Sequence, residues 1–306
     1  MKCMKQAIVA ITQDDDIESA VFRALDHLDL ESLIRGKLVA VKPNETYASA
    51  SDRTGVTQPD TLRAMLRYIK RYDPEQLVVS GGSGAGETDE ILETAGLMEV
   101  IREEGVEFHD HNRPPFEEIK LEYGGGEVIG PQGNVFVNRR VLEYETLIAL
   151  NQLKVHEEAT VTLALKNIAM SFPAADYYGH PRSKRLHEHA FFEDMHSFIA
   201  AMYRRFPIQL AVTAGHPAMI GTGPLGGHAF ETGLVIAGRD ALAADIVGAR
   251  LLGFELQGVR HLWEAGRLGL GETTVSRMKF PGLGLEEAFQ AFTRKAYGHS
   301  LSLAHA

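Results

Sequence analysis

The chain has 306 residues, 44% of them apolar and 24% charged, and a formal net charge of −10. An acidic chain without a Lys/Arg-rich stripe lacks the cations that displace phosphate counterions, which argues against a nucleic-acid partner, and no apolar run approaches the ~18 residues of a membrane span. The single cysteine, Cys3, cannot form an internal disulfide or hold an iron–sulfur cluster, so a reducing, cytoplasmic compartment is expected.

In chain order, QAIVAIT reads as a first strand, because its apolar run from Ala7 to Ile11 is too short for a signal peptide and meets three aspartates. A helix near Ile17 to Leu28, the strand KLVAVKP, a helix from Pro59 to Arg71 and the strand QLVVSGG follow. Pro59 suits a first helical turn, where its missing N–H has no partner to lose. A helix near Asp89 to Glu103 and the strand VEFHD continue the alternation, which specifies a mainly parallel sheet covered by helices.

From Arg113 to Gln132 the periodicity fails amid prolines and glycines, giving a long loop or a small hairpin excursion. NVFVN and TLIALNQ then resume the strand pattern. TVTLALKNIAM fits a strand through Val161, Leu163 and Leu165, or a helix through Val161, Leu165, Ile168 and Ala169; helix is the preferred reading. His189, Phe192, His196, Ile199 and Tyr203 share one helical face. The strands PIQLAVT and GLVIAG, a helix capped by Asp240, and helices near Val259 to Ala265 and Leu285 to Tyr297 close the chain. The expected architecture is an α/β fold with a main lobe over residues 1–205, carrying the site, and a smaller α/β lobe over 206–306.

The most informative segment is LNQLKVHEEATVTLALKN, in which one strand end delivers Asn151, Lys154 and His156 and an apolar stretch delivers Lys166 and Asn167. Ligands of open α/β sheets bind beyond the carboxyl ends of strands. A lysine in a desolvated site becomes a nucleophile, and an imidazole moves protons near neutrality. Lys42 and Asn44, in VKPNET at the end of the second strand, reach the same rim. The glycine-rich turn at Ser80, Gly81, Gly82, Ser83 and Gly84 either cradles a phosphate or carboxylate or is a tight strand-to-helix turn. Its spacing is not G-x-G-x-x-G, yet Asp110 stands about 20 residues on, where a ribose-binding acid belongs, which keeps a dinucleotide-dependent oxidoreductase open.

His109 with His111 and His187 with His189 are spaced as metal pairs, and His180, in the loop DYYGHPRSK, is the better single metal candidate. GTGPLGGHAFETG, Gly221 to Gly233, reads as a second anion loop or a hinged lid carrying His228. No serine-hydrolase elbow, P-loop or H-E-x-x-H helix is present.

The order VKPN, SGGSGAGET, VNRRVLEYETLIALNQLKVH, TLALKN, GTGPLGG and AGRDALAADIVGARLLGF resembles the domain-of-unknown-function 362 family from about Lys37 to Gly269. Thr213 departs from the aspartate expected there. More distantly, the order is similar to the nickel-pincer lactate racemase superfamily. That resemblance implies a racemase-like fold with His156 as acid/base, Lys166 anchoring a pincer nucleotide or other phosphorylated cofactor, and His180 binding nickel. The chain lacks that family's second catalytic histidine at Gly81 to Gly84 and its arginine near Lys42 to Glu45. The resulting expectation is an isomerase-like enzyme acting on a small anionic ligand through Lys154, His156 and Lys166, with homo-oligomerisation open. A non-catalytic ligand-binding or accessory protein is the alternative.

Overall fold

The computed structural model describes residues 6–123, 133–188 and 194–303. Among the described residues eleven strands form in chain order: β1 (Val9–Gln13), β2 (Leu38–Pro43), β3 (Gln76–Gly81), β4 (Glu107–Asp110), β5 (Phe116–Lys120), β6 (Asn134–Asn138), β7 (Thr146–His156), β8 (Thr160–Thr162), β9 (Leu210–Ile220), β10 (His228–Phe230) and β11 (Leu234–Gly238). The main sheet has the order β1-β11-β9-β7-β2-β3-β4. Its β9-β7-β2-β3-β4 portion is parallel, and β11 and β1 add antiparallel pairs at one side. The fold is therefore the expected mixed α/β architecture around a mainly parallel sheet.

Strand β7 lies between β2 and β9 and is buried from Thr146 to Val155, which accounts for its apolar run Leu147 to Leu150. Because successive side chains alternate faces, Leu147, Ala149 and Leu153 join a core with Ile168, Phe198, Leu242 and Phe289, while Ile148 and Leu150 join one with Leu25, Leu62 and Leu92. Helices thus cover both sheet faces. Among the described residues no helix is long and apolar enough to cross a membrane.

Several local expectations are revised. The boundary near Phe206 falls within one sheet: β9 and β11, from the expected smaller lobe, pair with β7 and β1. TVTLALKNIAM is not helical from its start, since Thr160–Thr162 pairs antiparallel with β7 and places Thr162 opposite Lys154 before a helix begins at Ala164. The helix expected from Asp89 to Glu103 is two, Thr88–Ala95 and Leu97–Glu103, separated by Gly96 at φ 78°. A glycine tolerates that left-handed conformation at little cost. β5, inside the Arg113 to Gln132 stretch, pairs with β6 as an antiparallel ribbon; residues 124–132 of that stretch lie outside the described residues. So do His189 and Phe192 and the side chain of His187.

One ionic clasp ties the sheet to a flanking helix. His216 of β9 contacts Asp60 with Nε2 at 2.8 Å and Glu231 with Nδ1 at 2.6 Å. Both nitrogens face carboxylates and only imidazolium can donate from both, so hydrogen bonding to Asp60 raises the His216 pKa against the opposing effect of burial. The stability this clasp contributes is fully present below the ordinary histidine pKa and is lost as pH rises through the raised folded value. Urea midpoints should accordingly fall from pH 6 to pH 9 more in the wild type than in His216→Gln; parallel profiles would remove this role.

Candidate functional site

The carboxyl ends of β2, β3 and β7 converge on a cavity of about 270 Å³, bordered by Lys42, Asn44, Glu45, Gly82, His156, Thr162, Lys166, Asn167 and Arg182 among others. Lys42 and Asn44 come from the end of β2 and its following loop, and His156 is the last residue of β7. Lys166 and Asn167 lie in the first turn of the Ala164–Ser171 helix. That helix has no side-chain cap of its own. Asp245, from the Ala241–Leu251 helix, accepts from the amides of Ala164 and Leu165 at 2.9 Å each. An acceptor at a helix start satisfies amides that have no intrahelical partner; burial pushes this carboxyl up to about 7.

Below the cavity lies a dense polar network. Lys42 Nζ donates to Glu45 Oε2 and the Pro43 carbonyl at 2.5 Å and to Asn167 Oδ1 at 3.2 Å. Three oxygens match the three donors of an ammonium, although burial lowers this lysine's pKa against the opposing charge of Glu45. Glu45 Oε1 accepts the Gly82 amide at 2.8 Å. Asn167 Nδ2 donates to Asn151 Oδ1 at 2.8 Å, and Asn151 Nδ2 lies 3.4 Å from Thr213 Oγ1.

His111 is wholly buried and joins Ser80 Oγ at 2.9 Å to Ser171 Oγ at 2.9 Å. Ser171 donates to the Gly82 carbonyl at 2.9 Å and Tyr144 donates to Ser80 at 2.9 Å. These directions leave Nδ1 of His111 to accept and Nε2 to donate. Burial, with Lys42 and Arg182 nearby, holds its pKa well below the usual histidine range. The Arg182 guanidinium spans the Asn112 side chain and the carbonyls of Ser171, Pro173 and Gly82. Its own pKa is lowered to about 10 by burial.

His156 has a defined tautomer. Its Nδ1 accepts from the amides of Glu158 at 3.1 Å and Ala159 at 3.2 Å, so the proton of the neutral ring sits on Nε2. Burial, Lys166 and Lys154 push its pKa down to about 2. At neutral pH this ring is an uncharged N–H donor, which does not suit the general-base half of the role expected for it. Lys166 is buried, with its pKa lowered to about 8 by burial, and carries no hydrogen bond or ion pair to a described residue.

The expected site residues divide into two groups. Lys42, Asn44, Gly82, Gly84, His156, Lys166 and Asn167 border the cavity; Lys154, Ser80, Gly81, Ser83 and His180 do not. Lys154 is buried and donates to the Gly55 carbonyl, so it is held in the wall, with burial and Lys166 lowering its pKa to about 7. Ser80 and Ser83 spend their hydroxyls on His111 and on the Thr46 carbonyl at 2.8 Å. The Gly82 amide, expected to attract a ligand anion, already serves Glu45. Asp110, the would-be ribose acid, is engaged by Thr88 and the Asn112 amide. His109 and His111 contact Asn138 and the two serines separately, and no group of three or more metal-ligating side chains occurs among the described residues. Of the Gly221 to Gly233 loop, Gly223 and Pro224 border the cavity.

Residues 39–250 match the sequence profile described as Domain of unknown function (DUF362). The chain belongs to the DUF362 family. This DUF362 chain is 21% identical over 253 residues to a thylakoid-associated protein of Synechocystis sp., covering 80% of this chain and 72% of the relative. Its fold is similar to the lactate racemase apoprotein from Thermoanaerobacterium thermosaccharolyticum, with a TM-score of 0.53 at 14% identity, over 82% of this chain and 57% of the racemase. A Thermotoga maritima protein aligns with a TM-score of 0.41 at 13% identity, over 84% of this chain and 60% of that one.

Glu45, Arg182 and Asp245 were not among the residues expected from sequence, and His111, expected as half of a metal pair, instead bridges two serines. Arg182 and Glu45 had a signal, since each lies within three residues of a chosen candidate. Asp245 had none, because it acts across 81 positions of sequence on Ala164.

Proposed function

We propose that this DUF362 chain is a small-molecule enzyme that binds a compact organic anion in the cavity between the β2 and β7 ends. One observation carries the reading: Asn44 Oδ1, Thr162 Oγ1 and Arg182 Nε are buried without hydrogen-bond partners among the described residues, and all three residues border that cavity beside Lys166. Buried polar atoms are costly to leave unpaired, so several around one void mark a site built for a polar occupant. Lys166 and Arg182 supply positive charge, and His156 offers its Nε2–H. The similarity in fold to a lactate racemase makes small carboxylates the first anions to try. The cytoplasm is the proposed compartment, on the strength of the lone cysteine.

A pincer nucleotide with nickel does not fit the donors at this cavity. His180 does not border it, and the imidazole that does, His156, has Nδ1 committed to two amides. The same commitment favours, as a second reading, a site that binds and orients a ligand without proton transfer by His156. Calorimetry with lactate should give measurable binding that Lys166→Met weakens by roughly tenfold, about 1.4 kcal/mol. Equal affinity in wild type and variant would overturn the assignment of the anion to this cavity.

A further inference from the structure

Three lysines approach the site, and their circumstances differ. Lys42 is surrounded by three oxygens, and Lys154 is held by the Gly55 carbonyl. Lys166 alone of the three borders the cavity without a hydrogen bond or ion pair to a described residue. No described residue hydrogen-bonds its amine, although the charge of Glu158, which also borders the cavity, favours the ammonium form.

We propose that the bound anion carries a carbonyl group, as a 2-oxo acid or an aldehyde acid does, and that Lys166 captures it as an imine. The inference rests on the anion-binding reading above and adds the substrate's reactive group. In the step, the Nζ lone pair forms a bond to the carbonyl carbon and the π pair moves to oxygen. A proton passes from nitrogen to that oxygen, giving a carbinolamine. The oxygen takes a second proton from solvent and leaves as water while the nitrogen lone pair closes the C=N bond. Nothing is oxidised or reduced.

The surroundings suit each part. Burial, against the opposing charge of Glu158, lowers its pKa to about 8 and keeps a share of the amine unprotonated near neutrality. The unpartnered Arg182 Nε supplies a donor for the carboxylate. His156 supplies a neutral Nε2–H donor for the carbonyl oxygen, which gains charge as the amine adds. Thr162 Oγ1 and Asn44 Oδ1 remain as polar partners for the carbinolamine hydroxyl.

The test treats the full chain at pH 7 with glyoxylate, or separately with pyruvate, and sodium cyanoborohydride, which reduces an imine to a stable secondary amine. Peptide mapping should place the adduct on Lys166 at a rate on the order of 100-fold above exposed Lys120 and Lys295. Lys42 and Lys154 should stay unmodified. Lys166→Arg should lose the adduct, while the wild type should bind lactate, which has the carboxylate without the ketone. Labelling of Lys166 no faster than Lys295, with lactate binding intact, overturns the imine alone. Loss of lactate binding in the wild type overturns the anion-binding reading with it.

Discussion

Replacing Lys42 by methionine should lower stability by about 3–5 kcal/mol, the cost of breaking a buried ion pair by removing one partner. The reason lies with Glu45. Its side chain is 1% exposed, pairs with Lys42 at 2.5 Å, and otherwise receives the Gly82 amide at 2.8 Å. Without the ammonium, a carboxylate stays buried with one neutral donor, and Asn167 Oδ1 loses its nearest donor as well. Lys42→Met with Glu45→Gln removes both charges, so the double variant should recover a large part of the loss in urea titrations. If both variants unfold at the wild-type midpoint, Glu45 is not the anchor of the glycine-rich turn.

Gly82→Ala should be nearly as damaging, by about 3 kcal/mol, combining overpacking with broken hydrogen bonds. A methyl group at Gly82 would lie 1.9 Å from His111 Nε2 and 2.3 Å from its Cδ2. That ring cannot simply turn aside, because it is held on both nitrogens and packs edge-on against Phe172 with centroids 5.2 Å apart. At Gly84, two residues on, the nearest atoms to such a methyl are at 3.5 Å, so Gly84→Ala should leave the melting temperature almost unchanged. Comparison of the two melting curves checks the argument, and equal losses would show that the turn needs glycine for its backbone rather than for His111.

The glycine-rich turn shows how far sequence reading carries. Its place between β3 and the Thr88–Ala95 helix was legible, since an apolar strand ran into small residues and then into helical periodicity. Its purpose was not. The same glycines serve phosphate binding or close packing, and only the position of a side chain 29 residues later distinguishes the two. Likewise Lys154 and Lys166 are indistinguishable as lysines in apolar runs. β7 carries Lys154 into the wall under Gly55, whereas the turn after β8 returns Lys166 to the cavity. The expectation of helix at Val161 failed because a three-residue strand is too short to establish a period.

By itself the sequence determined the class of fold, because burial on both faces of the central strands demands long apolar runs and covering helices demand amphipathic ones. It also pointed to a polar group that borders the cavity, Lys42, Asn44, His156, Lys166 and Asn167, since the carboxyl ends of parallel strands are where such folds bring polar groups together. Tertiary structure alone decided which of those groups are committed. Whether a lysine is paired, which imidazole nitrogen holds the proton, and where Arg182 and Asp245 reach depend on contacts between residues far apart in the chain, and local periodicity contains no information about those partners.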